Sequence, residues 1–157
     1  MQARKWEPWH QDLDYGTVMQ QRALGHEPEM EQTKQLVNLF RPYYRPGLSV
    51  IDAGCGAGHF YPSLLAVGEQ IEYLGIDITK TYIQLARKTF MHDNRAKFAI
   101  ADLFNMGIAN NAFDIGLCYM VLPFIPDYHR AFASLRHLHM HGQRSVFPFY
   151  RRLMPYE

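Results

Sequence analysis

The sequence predicts a doubly wound α/β fold, in which a mostly parallel sheet is flanked by helices. Short apolar, β-branched segments alternate along the chain with segments of helical periodicity. The first apolar segment runs into an acidic residue and three glycines in VIDAGCGAGHF, residues 50–60. Strands that are separated by helices pair in parallel, and sheets of this kind bind ligands at the carboxyl ends of their strands. We therefore expect a ligand at the glycine turn.

Four strands are expected from runs that are apolar enough to be buried on both faces of a sheet. Their sequences are LSVIDA, IEYLGID, AKFAIAD and FDIGLCYMVL, at residues 48–53, 71–77, 96–102 and 113–122. Each of the first three ends in or next to an aspartate. Because parallel strands end at the same edge of a sheet, these carboxylates are expected to lie near one another.

Helices are expected between and before the strands. Residues 26–40, HEPEMEQTKQLVNLF, place Pro28 where a first helical turn tolerates it, and Pro42 ends the pattern. Residues 79–90 and 126–138 have apolar side chains at helical spacing, after a threonine and an aspartate that suit N-caps.

Composition favours one soluble domain. The chain has 157 residues, 48% hydrophobic and 20% charged, and a formal net charge of +1. Such a charge does not select nucleic acid or an anionic membrane as a partner. Two cysteines are too few for a disulfide framework, and no apolar run is long enough to span a bilayer. A cytoplasmic protein is predicted.

The glycine turn is the feature of the sequence that most directly indicates a ligand site. Glycines at 54, 56 and 58 lack β-carbons, so backbone N–H groups there can approach a ligand closely. A dinucleotide fingerprint, G-x-G-x-x-G, would need glycine where His59 stands. A turn that only packs tightly remains an alternative interpretation.

The stretch DAGCGAG, residues 52–58, resembles the D/E-x-G-x-G-x-G first motif of class I S-adenosylmethionine-dependent methyltransferases, in particular small-molecule enzymes of types 11 and 25. The resemblance implies a Rossmann-like sheet with strand order 3-2-1-4-5. It also implies a cofactor without a pyrophosphate, and Asp52 suits the cationic methionine end of S-adenosylmethionine, whereas it would repel a diphosphate.

Later motifs extend the resemblance to about residue 138. It implies that Asp77 accepts the ribose hydroxyls and Asp102 the adenine amino group, with the backbone N–H of Leu103 on a ring nitrogen. Tyr119 and Met120 would lie beneath the sulfonium. The cofactor-binding residues implied are Asp52, Gly54, Cys55, Gly56, Gly58, His59, Phe60, Asp77, Ile78, Ala101, Asp102, Leu103, Tyr119 and Met120.

The predicted activity is methyl transfer to a small-molecule acceptor. Motifs that mark base-amine and protein-arginine methylation in this family are missing, since CYMVLP replaces N/D-P-P-Y after the fourth strand. Alignment of the acceptor supplies much of the rate, so a general base is optional and no catalytic residue is assigned. His10, Tyr15, His59 and His129 are available as bases or are structural. Two alternatives stay open: a relative that binds the cofactor or a partner without turnover, and a nicotinamide-dependent oxidoreductase.

Three regions are expected in the single domain. Residues 1–25, with Trp6, Trp9 and Tyr15, form a lid over the cofactor or a fixed latch on the sheet; 26–142 form the cofactor-binding core. Residues 143–157 are atypical, because the family's C-terminal hairpin is missing and RSVFPFY would be an exposed fifth strand. This tail either forms a homodimer contact, folds back on its own sheet or stays disordered. No metal is expected, because His137, His139 and His141 at a helix end would point in different directions.

Overall fold

The structure is a computed structural model that describes residues 13–109, 112–121, 125 and 127–137. Its centre is a sheet of four parallel strands in the order β3-β2-β1-β4. The strands are β1, Leu48–Ala53; β2, Ile71–Asp77; β3, Ala96–Ile100; and β4, Ile115–Leu117. The predicted doubly wound, Rossmann-like fold is confirmed for these strands. The fifth strand and the tail at 143–157 lie outside the described residues.

Five α-helices occur in the described part of the chain. They are α1, Leu13–Ala23; α2, Glu31–Phe40; α3, Phe60–Leu65; α4, Lys80–Thr89; and α5, Tyr128–His137. A 3-10 turn at Arg41–Tyr43 follows α2. None of the helices in these residues is long and apolar enough to cross a bilayer.

Two helices differ from the sequence predictions. The helix expected from residue 26 begins at Glu31, because Met30 has an extended backbone (φ −72°, ψ 150°). The ring of Pro28 also disfavours helical backbone at the residue before it. The sequence predicts no helix over residues 13–23, because this segment has few strong secondary-structure signals. It is nevertheless helical in the structure, packed against α4, where Tyr15 and Tyr82 have ring centroids 6.2 Å apart.

The hydrophobic core has two layers, one on each face of the sheet. Alternate residues of β1 belong to different layers: Val50 lies in the layer with Tyr61, whereas Ile51 lies in the layer with Leu135. By the same alternation Asp52 lies on the Val50 side, where its carboxylate is buried. The register pairs Ala53 with Ile76 and Asp77 with Ile100, so the strand tips end together at one edge.

Candidate functional site

One cavity lies at the carboxyl ends of the strands, beneath α1 and beside α4. It encloses about 1000 Å³ of empty space, adjoining open solvent included. Most of the predicted site residues line it: Gly54, Gly56, His59, Phe60, Asp77, Ile78, Ala101, Asp102, Leu103, Tyr119 and Met120. The structure thus brings together residues from four separate segments of the sequence.

Three predicted site residues do not line this cavity. The Asp52 side chain is buried beneath the loop, where Oδ2 accepts a hydrogen bond of 2.6 Å from the Tyr73 hydroxyl. Cys55 is completely buried. Gly58 packs against Phe98, so closely that a β-carbon at position 58 would lie 2.9 Å from its ring. Asp52 thus lies beneath the loop, and Cys55 and Gly58 belong to the side of the loop that packs into the core.

Asp77 ties the glycine loop to the tip of β2. Its Oδ2 accepts a hydrogen bond of 2.9 Å from the Gly56 backbone N–H, and its Oδ1 accepts one of 2.8 Å from the Thr79 N–H. The Ile76 carbonyl accepts further bonds from the N–H groups of Gly54 and Cys55, at 2.7 and 3.0 Å. The carboxylate is therefore held in a fixed orientation at the cavity wall.

Asp102 follows β3 and begins a turn. Its Oδ1 accepts a hydrogen bond of 2.9 Å from the Phe104 N–H, and its backbone pairs with Asn105. Among the described residues, the other carboxylate oxygen has no hydrogen-bond partner. Leu103 and Phe104 add apolar surface to the same part of the cavity. This end of the site combines one available acceptor atom with apolar walls.

The buried Asp52 carboxyl has an unusual acidity. Burial raises its pKa from the ordinary value of 3.8 to about 7; the hydrogen bond from Tyr73 opposes that rise and the nearby charge of Asp77 adds to it. Its Oδ1 has no hydrogen-bond partner among the described residues. Near neutral pH, this carboxyl is held partly as the neutral acid.

His59 follows the glycine loop and begins the turn into α3. The residue is half-buried, but both ring nitrogens are buried and neither has a hydrogen-bond partner in the described part of the chain. Burial, and then the charge of Arg22, lowers the pKa of His59 to about 4. Its ring lies 4.0 Å from that of Phe60 between centroids. His59 is thus a neutral imidazole at neutral pH.

The end of β4 has a strained backbone. Met120 has φ 60°, the single positive value among the described non-glycine residues. Such a conformation is unfavourable for a side chain of this kind and is concentrated at functional sites. Beside it, the Tyr119 hydroxyl donates to Gln35 Oε1 of α2 at 3.4 Å. The strand tip is held from α2 while Met120 faces the cavity.

Some lining residues were missed by sequence reasoning. Met19, Thr79, Tyr82, Phe104, Val121 and Ile125 line the cavity without having been predicted to do so. The i, i+4 spacing of Tyr15 and Met19 was the available signal for α1. Of the predicted bases, Tyr15 and His59 line the cavity and the exposed His129 does not. His10, Trp6, Trp9 and the side chains of His137, His139 and His141 lie outside what the structure describes.

A family model described as a methyltransferase domain matches residues 45–146, more than half of the chain. The chain belongs to the class I S-adenosylmethionine-dependent methyltransferase family. The cofactor that goes with this membership is S-adenosylmethionine. The glycine loop, Asp77 at the end of β2 and Asp102 after β3 all fall within the matched range.

Solved structures share the fold of this chain. A TehB-like S-adenosylmethionine-dependent methyltransferase from Corynebacterium glutamicum has a TM-score of 0.67 and 22% identity, over 90% of this chain and 73% of that one. A protein from Haloferax volcanii, in complex with the Trm112 methyltransferase activator, has a TM-score of 0.69 and 18% identity, over 94% of this chain and 61% of that one.

Phosphoethanolamine N-methyltransferase 2 from Haemonchus contortus, in complex with S-adenosylmethionine, gives a TM-score of 0.70 and 19% identity, over 92% of this chain and 34% of that one. The chain thus spans about three-fifths of the Haloferax protein and about one-third of the Haemonchus protein. None of the curated proteins compared matches the sequence.

Proposed function

We propose that this protein transfers a methyl group from S-adenosylmethionine to a small-molecule acceptor, and that the cavity at the strand ends is its cofactor site. The observation that carries the proposal is the convergence of three segments on one cavity. The glycine loop, Asp77 and Asp102 follow three adjacent strands, and all three line it. Ligands of doubly wound sheets bind at this edge.

The residues present suit the nucleoside of the cofactor. The Asp77 carboxylate lies at the cavity wall, and a carboxylate of this kind accepts hydrogen bonds from ribose hydroxyls. The available oxygen of Asp102 can accept the adenine amino group, and Ile78 and Leu103 supply apolar surface in the same cavity. A β-carbon at Gly56 would meet no atom within 4 Å, so this glycine leaves space at the cavity wall.

The chain itself has to position and enclose the reactants. When bound, the cofactor supplies a methyl group that its sulfonium already activates. Tyr119 and Met120 form the floor at the tip of β4, and Tyr15 and Met19 of α1 cover the opposite side. Enclosure excludes water and holds an acceptor in line. In this proposal residues 26–142 are the cofactor-binding core and α1 belongs to the cover.

Calorimetry followed by a transfer assay tests the proposal. We expect saturable binding of S-adenosylhomocysteine and no binding of nicotinamide dinucleotide, because His59 stands where a dinucleotide fingerprint needs its third glycine. Methyl transfer is then assayed with a panel of small amines, alcohols and thiols. Binding of the dinucleotide instead would contradict the cofactor assignment, and cofactor binding without transfer to any acceptor would support a binding-only role.

A further inference from the structure

The Asp52 carboxyl lies at the end of β1, the strand between β2 and β4 in the sheet. Its register partners are Gly75 on β2 and Leu117 on β4. Two residues after these partners come Asp77 and Tyr119, which both line the cavity. Asp52 itself is only 1% exposed. A buried carboxyl thus lies beneath the glycine loop, between two strand tips that line the cavity.

The surroundings of Asp52 do little to stabilise a negative charge. Oδ2 accepts one hydrogen bond, from the Tyr73 hydroxyl, and Oδ1 has no hydrogen-bond partner among the described residues. The titratable groups that act on it are Tyr73 and Asp77 on β2, Cys55 in the loop and Cys118 after β4, and none of these is cationic. A buried carboxyl without a positive partner favours its neutral form, in agreement with a pKa that burial raises to about 7.

The two ligands of a methyl-transfer site differ by one charge. S-adenosylmethionine has a sulfonium, a carboxylate and an ammonium group, whereas S-adenosylhomocysteine has lost the sulfonium charge. In the proposed function the methyl-donating end of the ligand lies above the tip of β4, which is next to β1 in the sheet. A positive charge near a buried carboxyl favours its ionised form, because the surrounding protein screens the attraction less than water does.

We propose that Asp52 distinguishes the charged cofactor from its product by exchanging a proton with solvent. The carboxyl holds this proton in the empty site, releases it to solvent when S-adenosylmethionine binds, and takes one up again when S-adenosylhomocysteine replaces the cofactor. The ionised form attracts the sulfonium before transfer, and the neutral form removes that attraction afterwards. Asp52 acts through its charge from beneath the loop, so it is a specificity-determining residue and not a catalytic one. The inference rests on the proposed function for the identity of the ligand.

Calorimetry in buffers of different ionisation heat, such as Pipes and imidazole, counts the protons released when each ligand binds to the full chain. At about pH 7, a carboxyl with a pKa of about 7 is half protonated. We therefore expect release of about half a proton per S-adenosylmethionine bound, and less than about 0.2 per S-adenosylhomocysteine. The affinity for S-adenosylmethionine should rise about fivefold between about pH 6 and pH 7, because fewer chains then have to lose the proton, and that for S-adenosylhomocysteine less than about twofold.

Two variants and a matched control assign the proton to Asp52. Asp52→Asn cannot ionise, so it should abolish the proton release and the rise in affinity with pH. Tyr73→Phe removes the hydrogen bond to Asp52 and should raise the pKa of this carboxyl, so that S-adenosylmethionine binds more weakly and releases more of a proton at about pH 7. Tyr61→Phe removes a neighbouring hydroxyl that donates to Asp93 instead, at 2.8 Å, and should behave as the parent chain does.

The outcomes separate this inference from the proposed function. Equal proton release by the two ligands in the parent chain would overturn the inference, as would a proton release that persists in Asp52→Asn. If that variant does not fold, equal release by the parent chain, Tyr73→Phe and Tyr61→Phe would overturn it. In each of these cases both ligands still bind and the proposed function stands. Failure of both ligands to bind the parent chain at any pH would overturn the proposed function.

Discussion

Asp77 is the side chain that joins the cavity at the strand ends to the glycine loop. Both of its oxygens accept backbone N–H groups, so it orders the loop and lines the cavity at once. Replacement by alanine should weaken S-adenosylhomocysteine by about 1.5–3 kcal/mol, through the loss of charge-assisted hydrogen bonds. The free energy of unfolding should also fall by about 1 kcal/mol, because water reaches the freed N–H groups only in part.

Calorimetry and urea denaturation measure these two effects of Asp77→Ala. Glu72→Ala is the matched control, since Glu72 is an exposed carboxylate on the same strand. Unchanged affinity in the Asp77 variant would remove this residue from the cofactor site.

The shifted pKa values of Asp52 and His59 should make the free energy of unfolding depend on pH in opposite directions. The folded state raises the pKa of Asp52 to about 7 and lowers that of His59 to about 4. Between its ordinary pKa of 3.8 and about 7, the folded chain holds a proton on Asp52 that the unfolded chain has lost. The contribution of Asp52 to stability therefore falls as pH rises towards 7. The unfolded chain instead holds the proton on His59 up to its ordinary pKa of 6.5, so that contribution rises with pH.

Substituting Asp52 and His59 one at a time separates their contributions to the pH dependence of stability. In the parent chain the slopes oppose each other, and the free energy of unfolding should change little between about pH 4.5 and 6.5. His59→Gln should show a fall of roughly 2–3 kcal/mol across that range, and Asp52→Asn a rise of similar size. Urea denaturation at several pH values measures both. Two variants that follow the parent profile would show that these pKa values are close to ordinary.

The glycine loop, as an element, needs its glycines for different reasons. Gly56 (φ +56°) has open space where a β-carbon would be, whereas at Gly58 (φ +79°) a β-carbon would lie 2.9 Å from the Phe98 ring. Both alanine variants should carry backbone strain of about 1–2 kcal/mol, and Gly58→Ala should add about 1–3 kcal/mol of overpacking.

Gly56→Ala is thus the matched control for Gly58→Ala in urea denaturation. The larger Gly56→Val should abolish S-adenosylhomocysteine binding, because its side chain occupies the cavity wall while the fold remains. An unaffected titration of that variant would show that the ligand does not reach the loop.

At the scale of the whole molecule, α1 covers the cavity and at the same time packs against α4. Gly16 lies so near Tyr82 that a β-carbon there would be 2.5 Å from the ring, and Gln20 donates to Thr89 Oγ1 at 3.0 Å. We expect amide hydrogen exchange in residues 13–23 to slow when S-adenosylhomocysteine binds, because Tyr15 and Met19 line its cavity.

Gly16→Leu, which pushes α1 away from Tyr82, should remove this ligand-induced protection and leave exchange in β1 unchanged. Equal exchange in residues 13–23 with and without ligand would show a fixed latch in place of a lid.

The sequence predicts the bounds of the central strands β1 and β2 more accurately than those of β3 and β4. The predicted bounds of β1 and β2 agree with the structure, because central parallel strands are largely buried and mostly apolar. At the two edges of the described sheet the strands are shorter than predicted: β3 ends at Ile100 and β4 at Leu117. Pairing with a neighbour decides where an outer strand ends, and α1 likewise depends on its contact with α4, which local periodicity does not report.

The sequence by itself determined the parallel order of strands and helices, the glycine turn after β1, and the aspartates at the ends of β2 and β3. These follow from periodicity and turn chemistry, which act between neighbours along the chain. Only the tertiary structure decided that Asp77 faces the cavity while Asp52 is buried beneath it, and that both ring nitrogens of His59 are buried. Those outcomes depend on which helix covers each face of the sheet, and such packing joins residues far apart in sequence.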